Sequence, residues 1–131
     1  MRHALRIFVL TLATGLALAV LAHAGPLEEV ARNTGRPLIV RFGLERCLQC
    51  IQQGQAFDAL EPKYAGEMTF RFVHIGQEEE MAGEYKVLLI PTVLFFDTAG
   101  NEVFRNVGYL APDALEAEFH KAGFPGVTPG G

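Results

Sequence analysis

Apolar residues recur along this chain in blocks, and the period of each block predicts an element. Leu27, Val30 and Ala31 fall on one side of a helix over Pro26 to Asn33, which Gly35-Arg36-Pro37 ends. Leu38 to Phe42 is a buried-strand pattern, four apolar residues interrupted by Arg41. Gly43 to Arg46 reads as a loop. A helical period starts at Cys47, with Cys50, Gly54, Phe57, Leu60 or Glu61, and Tyr64 on one face. Met68 to Ile75 is a second strand, rich in Phe and Val, and the acidic stretch Gln77 to Tyr85 is a short solvated helix. Thr92 to Phe96 is a third strand, too apolar for a strand with one wet face. Asp97-Thr98-Ala99-Gly100-Asn101 has turn composition, and Glu102 to Val107 completes a hairpin. Pro112 to Ala122 is a last helix with Leu115 and Phe119 inward. The tail from Gly123 holds four glycines and two prolines and is expected to be loose.

The order is helix, strand, helix, strand, helix, strand, strand, helix. It predicts one α/β domain over residues 25–122: a mixed sheet of four or five strands with helices on both faces. Strands that alternate with helices imply parallel pairs with right-handed crossovers, and the hairpin adds an antiparallel edge.

The segment before this domain has a different character. Ile7 to Ala22 is apolar apart from Thr11, Thr14 and Gly15, behind a basic start with Arg2 and Arg6. Ala22-His23-Ala24 follows, with small residues where a signal peptidase reads. This is the order of a secretory signal, residues 1–24. At 16 residues the apolar stretch is shorter than the ~20 that span hydrocarbon. Cleavage near Ala24, giving a periplasmic or secreted protein, is expected over the alternative of an uncleaved membrane anchor.

Composition narrows the functional classes. The 131 residues are 50% hydrophobic and 20% charged, which excludes a disordered chain. A net charge of −4 makes nucleic acid an unsuitable partner. Two cysteines cannot staple a loop-rich scaffold. Their placement points elsewhere. Cys47-Leu48-Gln49-Cys50 directly follows a buried strand and opens a helix, where unpaired N–H groups and the helix dipole favour an anion. Such a position is expected to favour a thiolate at Cys47. Arg46 can add positive charge. The spacing brings both sulfurs onto one helical turn, as thiol–disulfide exchange requires. A structural disulfide would close too short a loop to constrain the chain much. A closed zinc site needs four ligands, and His74 and His120 lie far off in sequence, so no metal site and no cofactor are expected.

These residues, with Leu38-Ile39-Val40-Arg41-Phe42, Tyr85-Lys86-Val87, Ile90-Pro91-Thr92 and Val107-Gly108 in this order, resemble the thioredoxin-like family, in particular its exported members. The long turn from Phe95 to Glu102 is similar to that of periplasmic members, including the C-terminal domain of the transmembrane disulfide reductase. The resemblance covers nearly all of Leu27 to Ala122. It implies that Cys47 attacks and Cys50 resolves. It implies a cis peptide at Ile90-Pro91, whose loop pairs with an extended substrate, and a Gly108 that keeps the surface open. The implied partners are exported proteins with disulfides and a membrane thiol protein as electron donor. A monomer is expected, with the reductase direction favoured.

The departures are specific. The family's Trp-Cys-Gly-Pro-Cys reads Arg46-Cys47-Leu48-Gln49-Cys50, and Trp is absent from the chain. The buried acid below the resolving cysteine is replaced by Arg41, its neighbouring lysine by Phe72 and the helix proline by Gln55, with Gly54 left to loosen the helix. Glu45 is a candidate substitute acid. Arg41 shares a strand face with Ile39 and Gly43, so it must reach water, pair with a carboxylate or stabilise a thiolate. The last would make the disulfide more oxidising than that of cytosolic thioredoxin. Two other readings remain open: a docking module with dispensable cysteines, and a carrier of a soft ion such as Cu(I).

Overall fold

The structure, a computed structural model, describes residues 24–126. The apolar leader and its proposed cleavage segment lie outside these residues, apart from Ala24. The chain forms α1 (Pro26–Thr34), β1 (Leu38–Gly43), α2 (Leu48–Tyr64), β2 (Thr69–His74), α3 (Glu79–Glu84), β3 (Thr92–Phe96), β4 (Glu102–Val107) and α4 (Pro112–Lys121). Four strands make one mixed sheet in the order β2-β1-β3-β4.

Alternation along the strands sorts the apolar residues into two cores. Leu38, Val40, Phe42, Leu94 and Phe96 pack with Leu27 and Ala31 of α1 and with Tyr85. Ile39, Val93 and Phe95 face the other way, onto Phe57, Leu60 and Tyr64 of α2 and Leu115 and Phe119 of α4. β1 and β3 are covered on both faces, which explains why they are apolar along most of their length, Arg41 apart. Tyr85 also pins α1: its hydroxyl accepts from the Leu27 N–H at 2.8 Å and donates to Glu28. Phe124 is buried against Phe95 and Phe119, so the packed body extends past the expected limit at Ala122.

One topological expectation is corrected. β1 and β2 are parallel, but β1 and β3 are antiparallel, as are β3 and β4. The segment from β2 to β3 does not cross back over the sheet: Thr92, where β3 starts, is the register partner of Phe42 near the end of β1, and the end of β1 lies beside His74, where β2 stops. As a result, the loop after β1, the loop before β3 and the loop after β4 all gather at one end of the sheet.

Candidate active site

That end carries both cysteines. β1 finishes at Gly43, a turn covers Leu44 to Arg46, and Cys47 is the N-cap of α2 with extended backbone angles. No Ser, Thr, Asp or Asn occupies this cap. The Cys47 sulfur does that work, accepting the Cys50 N–H at 3.3 Å. The first turn of α2 holds no acidic side chain to repel an anion there. Cys47 is half-buried and Cys50 is 2% exposed, and both thiols are free. One sulfur thus meets solvent while the other lies behind it. Burial pushes the Cys50 thiol up to about 11, helped by its hydrogen bond with Cys47. The Leu44 backbone and the charge of Arg41 act in the opposite direction.

The Ile90–Pro91 peptide is cis. Phe42 and Thr92 are register partners, so Pro91 stands just beyond the last paired residue of β1. The Thr92 hydroxyl donates to the Leu89 carbonyl at 2.7 Å, and the Gly108 N–H donates to the Pro91 carbonyl at 2.8 Å. Gly108 has φ +97°, a conformation that favours glycine, and a Cβ there would meet nothing within 4 Å. The surface at Gly108 is therefore open, and its backbone is also one a side chain would strain.

Arg41 and Glu45 border a cavity of about 430 Å³ together with Cys50, Ile51, Gly54 and Asp58. Arg41 lies over the Phe72 ring, 3.9 Å from its centroid, and among the described residues it forms no ion pair. Of the routes expected for a half-buried arginine, it takes the one to an open cavity. Arg46 is exposed on the turn beside Cys47 and does not line the cavity.

Two further residues shape the site without any sequence motif. A Cβ on Gly43 would lie 3.2 Å from both the Cβ and the sulfur of Cys50, so the buried thiol rests on a bare backbone. Gln53, fully buried on α2, binds the backbone of Leu110 through both ends of its amide. The signal available for Gln53 was a polar residue on the buried side of the helical period. Gly43 left no signal beyond its place at the strand end.

Comparison with known proteins agrees with this geometry. Residues 27–123 match the family model described as a thioredoxin-like domain. Thioredoxin of Borreliella burgdorferi is 31% identical over 62% of this chain and 68% of its own length. Mitochondrial thioredoxin of Mus musculus is 32% identical over 68% of this chain, which spans 53% of that protein. The X-ray structure of Fasciola hepatica thioredoxin is 29% identical, with a TM-score of 0.65 over 72% of this chain and 89% of that one. The chain belongs to the thioredoxin-like domain family, whose members indicate thiol–disulfide oxidoreductase activity.

Proposed function

We propose that this thioredoxin-like chain is an exported thiol–disulfide oxidoreductase that reduces disulfides in partner proteins. The observation that carries the reading is the unequal pair of thiols, with Cys47 reachable at a helix start and Cys50 shielded one turn behind. The Cys47 sulfur attacks a partner disulfide and forms a mixed disulfide. Cys50 then attacks Cys47, and the reduced partner departs. Run in reverse, the same steps oxidise a partner. The chain's own sulfurs carry the electrons, so the reaction takes no cofactor.

The surroundings of Cys47 suit a protein substrate. Leu48 and Ile51 on the first turn of α2, Leu88 and Leu89 before Ile90, and Val107 and Tyr109 beside Gly108 are exposed apolar side chains. All belong to the segments that gather at this end of the sheet, and an apolar collar of this kind marks an interaction site. An extended partner segment would pair with the backbone at Ile90 while its disulfide meets Cys47. The apolar leader ending near Ala24 supports export to the periplasm or beyond, with an uncleaved anchor as the alternative. Outside the cytosol the disulfide formed in each cycle is re-reduced by a membrane thiol protein.

The test is a trap. Cys50→Ser expressed in the native host should hold partner proteins on Cys47 through a bond that added thiol releases. An empty trap, together with a wild-type chain that fails to reduce a model disulfide, would sink this reading and favour the docking or copper-carrier alternatives.

A further inference from the structure

Arg41 occupies a cradle built for a cation. Its register partner on β2 is Phe72, whose ring lies 3.9 Å beneath the guanidinium carbon, and the Phe57 ring of α2 is 5.8 Å away. Across from Phe72 stands Gly54, where a Cβ would lie 3.4 Å from the guanidinium carbon and 3.5 Å from both terminal nitrogens. The bare backbone at Gly54 leaves the group its space. Aromatic faces attract a cation without cancelling its charge. No carboxylate neutralises that charge through an ion pair among the described residues. Arg41 and Cys50 stand on the wall of the same cavity, and Arg41 is the cation on that wall.

We propose that Arg41 supplies the positive charge that helps Cys50 ionise when it resolves the mixed disulfide. The proposal rests on the exchange reading above. In the step concerned, Cys50 gives its proton to solvent in the cavity and its thiolate attacks the Cys47 sulfur. A Cys47–Cys50 bond forms and the bond from Cys47 to the partner breaks. The electron pair leaves with the partner sulfur, which takes a proton from solvent. The partner gains two electrons and the chain loses two.

Other charged groups surround this pair. Asp58 on α2 and Glu45 on the turn line the cavity, and Glu61 on α2 acts on Arg41 from farther away. Cys47 faces Cys50 from the helix start. On β2, Phe72 faces the guanidinium and His74 lies two residues beyond it. Burial pulls Arg41 below its ordinary value, while Asp58, Cys50 and Glu61 oppose that, and a guanidinium stays charged at neutral pH. Cys50 keeps its proton at neutral pH, so a charge acting on it alters how fast the ring closes rather than where the equilibrium lies.

The direct test uses Cys47→Ser, in which Cys50 is the sole thiol. Carbon-13 NMR of its Cβ follows ionisation through alkaline pH. Arg41→Met should raise the midpoint by about half to one pH unit, and Arg41→Lys should recover most of that. In the chain with both cysteines, dithionitrobenzoate releases one coloured thiolate as Cys47 reacts and a second as Cys50 closes the ring. Arg41→Met should slow the second release about two- to threefold, because the more basic thiolate is also the better nucleophile, and leave the first unchanged. An unchanged Cys50 midpoint in a folded Arg41→Met protein would overturn the proposal, as would Arg41→Lys behaving like Arg41→Met. If Arg41→Met does not fold, Arg41→Gln serves in the same comparison. A wild-type chain that never releases the second thiolate would instead defeat the exchange reading, and the Cys50 titration would still decide the part played by Arg41.

Discussion

The side-chain amide of Gln53 closes a two-bond clasp on the backbone of Leu110, accepting its N–H at 2.8 Å and donating to its carbonyl at 3.1 Å. It ties the middle of α2 to the segment that leaves β4 past Gly108. Gln53→Leu fills similar space but strands two backbone groups. It should cost about 1–3 kcal/mol. Amide hydrogen exchange over residues 108–111 should speed up first, before global unfolding responds, and an unchanged exchange rate there would show that the clasp holds nothing.

Gly43 and Cys50 are packed closely enough that a side chain at 43 would press on the sulfur. Gly43→Ala would set a methyl 3.2 Å from the Cys50 sulfur. The reduced protein should lose about 1–3 kcal/mol as the sulfur or the strand gives way. Denaturant unfolding of the reduced chain measures it, and a loss of under about 0.5 kcal/mol would show that the sulfur moves aside freely.

Gly54→Ala should have the opposite sign. Its methyl would sit at ordinary contact distance from Arg41, 3.4 Å from the guanidinium carbon. Helix propensity then favours the alanine by up to about 1 kcal/mol. Gly54→Leu should instead destabilise, because its longer side chain enters the space of the guanidinium. Thermal melts of the two variants decide between a glycine kept for room and one kept to loosen the helix.

Alkaline pH should weaken the reduced fold through Cys50. Below pH 9 its thiol is protonated in both folded and unfolded chains and contributes no pH dependence. Above 9 the unfolded thiol ionises while the buried one keeps its proton, so the folded state binds more protons and stability falls until about 11. Reduced wild type should therefore lose more stability across this window than Cys50→Ala. Equal losses would show that the buried thiol ionises like a free one. Tyr85, held well above its ordinary value by burial and by Glu28, responds alike in both proteins.

Much of this was readable along the chain because period and burial are local. The runs from Leu38 and from Thr92 appear as the two central strands, and each matches its apolar block to within one residue. The cysteines declared themselves by standing between a strand and a helix. The direction of β3 did not, since it depends on the path of the whole segment between His74 and Thr92 and not on any property of Thr92 to Phe96. Arg41 was visible as an anomaly, but its seat on Phe72 needs the β1–β2 register. The clasp of Gln53 joins residues 57 apart in the chain, a separation that no local pattern records.

The unequal exposure of the two sulfurs also limits what crowding can do to this molecule. Cys50 is 2% exposed, so only Cys47 can reach a neighbour. Each copy then has a linking valence of one. Stray oxidation between copies goes no further than pairs, which Cys50 of either copy can itself undo, and it cannot thread molecules into long covalent strings.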